Sequence, residues 1–277
     1  MGKIITVILV VLTAASIWMF VGQHTLWFPE NISTHGAAID NQFKLTLVVV
    51  GIAFTGAQLA LGYAVWRFGR KGNERAVYSH GSSKLEATWT IITAGIFIAV
   101  AILGQRVWAN LHLNSAPDDA VKVDVVAQQF QFNFHYPGVD GVMGKTSPEF
   151  YDDGSQNYVG LDPNDAAAKD DLQLTTLVIP ENRPVELTLR SKDVIHSFFV
   201  PVCRFKQDTV PGMSIKVHFT ATKPGKYEIP CAELCGNGHY KMKSFLLVVA
   251  KDDYDQMESM SRQQFRARMD ELMQQYQ

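Results

Sequence analysis

Three stretches without a single Asp, Glu, Lys or Arg, residues 4–22, 45–66 and 87–105, constrain this 277-residue chain more than any other feature. Each is about as long as the ~20 residues a helix needs to cross hydrocarbon. The N-terminal third is therefore expected to lie in a lipid membrane. The first run also has the look of a signal peptide, with Lys3 as its short basic start. No small-x-small cleavage site follows it, which favours a retained helix. Either reading leaves the rest of the chain in the same place.

Charge divides along the same line. Up to Arg106 there are 8 basic and 4 acidic residues, and from Val107 onward 17 basic and 23 acidic. The acidic part argues against a nucleic-acid partner and favours a basic protein, because complementary fields speed encounter. Arg67, Arg70, Lys71, Arg75 and Lys84 crowd the short loop between the second and third runs. Short loops rich in Lys and Arg stay cytoplasmic, so everything after Trp108 is expected on the outer side.

Past the third run the pattern changes to period two. Val121, Val123 and Val125 alternate with Lys122 and Asp124, and Phe130, Phe132, Phe134 and Tyr136 alternate with Gln131, Asn133 and His135. Further β-rich runs at 175–179, 185–189, 194–200, 215–220, 226–229 and 244–249 are punctuated by Pro, Gly and Asn. Many short strands so separated predict a sandwich or barrel. Residues 137–171 carry 8 acidic and 2 basic residues with little apolar periodicity. They read as an inserted surface loop, either a solvated connection or a docking element. From Lys251, Tyr254, Met257, Met260, Phe265, Met269, Leu272 and Tyr276 recur at helical spacings, predicting an amphipathic C-terminal helix over 251–277.

The segment Cys231-Ala-Glu-Leu-Cys235-Gly-Asn-Gly-His239-Tyr-Lys-Met242 gathers thiolate, imidazole and thioether on one loop, with His196 on an earlier strand. That mixture suits copper, whereas calcium and magnesium prefer oxygen and structural zinc rarely takes thioether. A single-copper site needs two His, one Cys and a weak Met, so Cys231 is surplus. The surplus thiolate points to a second metal ion. Two thiolates can bridge two coppers and leave one imidazole for each, so that a transferred charge is shared. A Cys231–Cys235 disulfide is the alternative in an oxidising compartment, and would be the better reading of two cysteines standing alone. Cys203 has no evident partner and reads as a small packed residue.

The loop resembles the copper motif of cytochrome c oxidase subunit II, Cys-x-Glu-x-Cys-Gly-x-x-His-x-x-Met, at every fixed position. The resemblance implies that Cys231 and Cys235 bridge the coppers, His196 and Met242 completing one ion, and His239 and the backbone carbonyl of Glu233 the other. It leaves the Glu233 carboxylate free to face magnesium at a subunit junction. Lys206-Gln-Asp208-Thr-Val-Pro-Gly212 is similar to the family's Lys-x-Asp-x-x-Pro-Gly turn, although Met213 stands where an Arg commonly follows. Glu86-Ala-Thr-Trp89-Thr is similar to the family's Glu-x-x-Trp-Thr, whose carboxylate marks the entrance of a proton pathway; Thr93 replaces the usual proline. Gln129-Phe130-Gln-Phe132 resembles the family's Gln-Trp-x-Trp, in which the first Trp receives electrons from cytochrome c. Phe130 takes that place here, with Tyr240 beside His239 the other candidate.

The chain thus divides into an additional or signal-like helix (1–22), a transmembrane helical hairpin (23–108), an all-β cupredoxin-like Greek-key sandwich (109–250, with the insert 137–171) and the C-terminal helix. The resemblance spans about 45–250 without the insert, and implies a copper-bearing, multi-pass subunit of a cytochrome c oxidase in a bacterial inner membrane, its copper domain periplasmic, that passes electrons to the catalytic subunit for reduction of oxygen to water. Haem would reside only in the partner, since no Cys-x-x-Cys-His is present. Expected partners are the haem-copper subunit I, subunit III, and cytochrome c or a cytochrome c domain. The copper-containing subunit of a nitric oxide reductase and a membrane-tethered copper carrier are the rival readings.

Overall fold

The computed structural model describes residues 2–22, 28–69 and 78–276. His24 and Trp27 of the first connection, and Arg70, Lys71 and Arg75 of the basic loop, lie outside the described residues. The chain forms two compact units, one of Met1–Pro29 and Ala38–Ala109, the other of Glu30–Ala37 and Asn110–Gln277.

The first unit is built from α1 (Gly2–Gly22), α2 (Gly36–Phe68) and α3 (Ser83–His112), each long and apolar enough to span a membrane. Their apolar side chains face outward, as hydrocarbon solvent requires. Polar side chains return to their own backbone: Thr13 Oγ1 donates to Leu9 O at 2.7 Å and Ser16 Oγ to Leu12 O at 2.8 Å. Thr6 Oγ1 also donates to Gly62 O at 3.1 Å and Gln42 Nε2 to Val100 O at 3.2 Å, tying α1 to α2 and α2 to α3. Glu86 sits exposed in the first turn of α3.

The second unit is a two-layer β-sandwich. One layer orders β3 (Leu172–Leu174), β2 (Gln131–Tyr136), β1 (Val121–Gln128), β5 (Val185–Ser191) and β8 (Ile215–Phe219). The other orders β4 (Thr176–Pro180), β10 (Lys243–Val249) and β9 (Gly225–Pro230). An isolated bridge, Phe198 to Cys231, continues it to the pair β6 (His196–Val200) and β7 (Phe205–Thr209). Exposed Thr175, between β3 and β4, is where the chain passes from one layer to the other. Strand alternation places Val185, Leu187 and Leu189 in the core with Glu186, Thr188 and Arg190 outward. Every residue of β4 is buried, because the C-terminal segment covers its outer face with Tyr254, Met257, Phe265 and Leu272.

That segment is two helices, not the single one predicted over 251–277: α4 (Lys251–Met257) and α5 (Arg262–Gln275). The five-residue step from Met260 to Phe265 already breaks the helical rhythm. Ser261 starts α5 anew with a capping box to Gln264. Residues 30–37, which fall within the hairpin predicted over 23–108, instead join the sandwich. Ile32 is fully buried, its N–H donating to Val202 O at 2.9 Å and its carbonyl accepting from Thr222 N at 2.7 Å.

The insert 137–171 folds back over the face of β2 that the alternation assigns to solvent, burying Asn133 and His135. Asp171, itself buried, accepts from Gly138 N (3.1 Å) and Gly144 N (2.7 Å) and faces His135 Nε2 at 2.6 Å. His135 Nδ1 lies 3.8 Å from Asp124, which pairs with Arg190, and Arg190 Nη1 donates to Thr146 Oγ1 at 2.7 Å. Burial alone would lower the His135 pKa, but hydrogen bonds and charges from Asp124 and Asp171 outweigh it and raise it above 6.5. The Asp124 pKa is lowered below 3.8: burial opposes this, and His135 and Arg190 prevail. A raised histidine contributes its full stabilisation below the unfolded value and loses it as pH climbs through the folded one; a depressed carboxylate loses its contribution as pH falls. The insert is therefore held best in mildly acidic solution. The protection of its amides, relative to the intrinsic exchange rate at each pH, should fall between neutral and alkaline pH, and His135→Gln should flatten that dependence; protection that stays constant across this range in the wild type would contradict the assignment.

Candidate metal centre

The sandwich brings together side chains that are far apart in sequence. His196 opens β6, and alternation points His196, Phe198 and Val200 to the same buried side. Cys231 follows β9 directly. Its N–H donates to Met242 O at 3.1 Å, and Ala232 N donates to Ser197 O at 3.0 Å. These bonds close the loop 231–242 on itself and dock it against the strand carrying His196. A short 3-10 turn, His239–Lys241, then turns His239 and Met242 back toward the cysteines.

The donor atoms converge. His196 Nδ1 lies 3.2 Å from Met242 Sδ, Cys235 Sγ 3.6 Å from Met242 Sδ and 3.5 Å from His239 Nδ1, and Cys231 Sγ 3.2 Å from Glu233 O. Among the described residues, His196, Cys231 and Cys235 form the one group of three or more His, Cys, Asp or Glu ligands close enough to hold a metal ion. The thiols are free, with sulfurs 3.9 Å apart. That is far beyond the ~2.05 Å of a disulfide. It is within twice a metal–thiolate bond of about 2.3 Å, so an ion held by one sulfur can be held by the other as well. The arrangement fits soft metal, and the disulfide alternative does not describe it.

Electrostatics favour the same chemistry. For Cys231, burial pushes the pKa up, but hydrogen bonds from His196 and from the Ser197 and Glu233 backbone bring it below the usual thiol range. Cys235 is pushed up by burial and then by the Cys231 thiolate beside it. Metal binding needs both thiols deprotonated, so loading the site releases protons. His196 Nε2 lies 2.8 Å from Asp193 Oδ1, a contact that leaves Nδ1 free for metal. Burial would lower the His196 pKa, and Cys231 and Asp193 raise it instead. Burial would raise that of Asp193, and His196 with the Gln129 and Val194 amides lowers it.

The roles of Asp193 and Gln129 were not read from the sequence; the signals present were an acid three residues before His196 and the match of Gln129 to the first position of the family's Gln-Trp-x-Trp. Phe130 is half-buried, its ring packed against Gly236 and Gly238 so closely that a Cβ on Gly238 would overlap it. Gly236 is also at φ +133, open chiefly to glycine. Leu234 (78%) and Tyr240 (86%) stand exposed at the rim. Lys206 and Asp208 pair with each other at 3.9 Å on β7. Cys203 is a packed core residue, burial pushing its thiol up to about 12.

Comparison with known proteins shows the family. The family model for the cytochrome c oxidase subunit II periplasmic domain matches residues 161–250, and that for its transmembrane domain residues 21–107. An alternative cytochrome c oxidase subunit 2 from Bradyrhizobium diazoefficiens is 33% identical over 253 residues, covering 90% of this chain and 89% of the relative. Cytochrome c oxidase subunit 2 of Thermostichus vulcanus is 30% identical, covering 89% and 81%. A crystal structure of the periplasmic domain of subunit II of cytochrome oxidase from Bradyrhizobium japonicum is 22% identical, with TM-score 0.39 over 55% of this chain and 99% of that one.

Proposed function

The chain belongs to the cytochrome c oxidase subunit II family, and on that premise we propose that its loop 231–242 and His196 hold a pair of copper ions that receive electrons from cytochrome c and pass them to the haem-copper subunit. The family membership makes it a membrane-embedded part of an oxidase with a copper site in its β-sandwich. The observation carrying the binuclear reading is the convergence of two free thiols, two imidazoles, a thioether and a backbone carbonyl at one buried spot. Bound there, copper supplies one-electron exchange with the charge shared over both ions.

The protein's part is to keep those donors still. Cys231 and Cys235 would hold both ions, His196 and Met242 one of them, and His239 with the Glu233 carbonyl the other. Asp193 holds the His196 ring by its outer nitrogen, and burial keeps water from the sulfurs. The exposed Glu233 carboxylate is free to bind magnesium where a partner subunit packs. Phe130, against the ligand loop, and Glu86, at the start of α3, are assigned to electron arrival and to the entrance of a proton pathway. Exposed Leu234 and Tyr240, within an acidic unit, suit docking of a basic donor. Subunits I and III are the membrane partners, with the sandwich on the periplasmic side of a bacterial inner membrane. The named relatives are oxidase subunits, which does not favour the nitric oxide reductase or copper-carrier readings.

Stopped-flow mixing of the oxidase with reduced cytochrome c should show the copper absorbance bleaching before the haems are reduced. Haem reduction with no preceding copper phase would overturn the proposal.

A further inference from the structure

The β1–β2 turn reaches both halves of the site. Gln129 Nε2 donates to the carbonyl of Cys235 at 2.6 Å, and Gln129 N donates to Asp193 Oδ2 at 2.7 Å. The other Asp193 oxygen faces His196 Nε2 at 2.8 Å and accepts from Val194 N at 2.6 Å. A continuous chain of hydrogen bonds thus runs from His196 through Asp193 and Gln129 to Cys235. The ligand strand β6 and the ligand loop are otherwise joined at their other end, by Ala232 N to Ser197 O and the Phe198–Cys231 bridge. Without Gln129, the Cys235 end of the loop would lose this attachment. Gly236 keeps the approach open, since a Cβ there would run into the Gln129 amide.

We propose that Gln129 is a positioning residue of the copper site, clamping the Cys235 half of the ligand loop to the carboxylate that orients His196. The proposal rests on the binuclear reading and deepens it. Gln129 touches no reacting atom; it fixes the separation between a bridging thiolate and the imidazole of the opposite segment. Donors held by such outer bonds keep their places in both oxidation states, whereas a loosened loop lets one copper's share of the ligands change. Outer hydrogen-bond partners of metal ligands typically matter about 10–100-fold in metal affinity. Because Gln129 is exposed, an effect at the lower end is expected.

The test uses the purified oxidase complex carrying Gln129→Met, which keeps the length of the side chain and removes its donor. Gln129→Glu serves as a second variant, its ionised carboxylate unable to donate to the Cys235 carbonyl. Lys216→Met, which breaks an exposed pair with Glu186 on β5, is the control. Both Gln129 variants should lose copper to a chelator about tenfold faster than wild type and show altered electron paramagnetic resonance hyperfine splitting, with the thermal midpoint of the sandwich and the control unchanged. Wild-type splitting and release rate in both variants would overturn the role of Gln129 while leaving the two-copper reading intact. A wild-type complex without a two-copper signal would instead sink the reading beneath it. A lowered thermal midpoint with unaltered splitting would reduce Gln129 to an ordinary structural contact, and the proposal would fall.

Discussion

Cys235→Ser is expected to abolish rapid electron input from cytochrome c and the two-copper spectrum, while the complex still assembles. The Cys235 sulfur lies near Cys231 Sγ (3.9 Å), His239 Nδ1 (3.5 Å) and Met242 Sδ (3.6 Å), so it faces donors assigned to both metal positions. A serine hydroxyl is nearly isosteric, but it is a hard, neutral donor that does not ionise at physiological pH and cannot bridge soft ions. The loss should exceed the ~10–100-fold that removal of an outer hydrogen-bond partner costs a metal site. Cys203→Ser supplies the contrast. Its thiol is buried in the core and pushed up to about 12, so that variant should keep full copper content and lose only some stability. Metal analysis and stopped-flow kinetics on the two purified complexes check the pair; equal copper content in both would contradict the ligand assignment.

Phe198→Ala is expected to produce the largest loss of stability in the sandwich. Phe198 is fully buried, stands opposite Cys231 at the bridge between β6 and β9, and meets Phe132 edge-on at 5.6 Å, with Phe134 at 6.3 Å and Phe205 at 6.2 Å. Removing a buried Phe costs about 3–5 kcal/mol in transfer and cavity terms. That is a large share of the ~5–15 kcal/mol that holds a domain folded. Because His196 lies two residues earlier on the same strand face, the cavity opens directly behind a copper ligand. Amides of β6 and β9 should exchange faster by several orders of magnitude, and copper should be lost on mild warming. A thermal midpoint within about 2 °C of wild type, less than a shift of 1 kcal/mol gives in a domain of this size, would show that the site does not depend on this packing.

The membrane helices and most strands were legible because each announces itself by a local period. The ligand loop was legible because its chemistry is rare. What escaped depends on tertiary cover. In β7 the polar run Lys206, Gln207 and Asp208 conceals a strand on the margin of its sheet, and β3 is only three residues long. Period two correctly placed Phe132 and Phe134 inward but assigned Asn133 and His135 to water; the insert covers them, and Asp171 satisfies the imidazole. An acidic, glycine-rich segment reads as solvated when the buried histidine that anchors it is invisible. Asp193 and Gln129 escaped for the same reason. Gln129 meets a loop more than a hundred residues away, and Asp193 meets the β1–β2 turn 64 residues before it, pairings no local pattern encodes.

The most direct test of the central claim is metal analysis combined with electron paramagnetic resonance of the oxidised wild-type complex. Two coppers attributable to this chain, giving one unpaired electron with hyperfine structure from both nuclei, are predicted. One copper with single-nucleus hyperfine structure, or a Cys231–Cys235 disulfide in a metal-free sandwich, would contradict it.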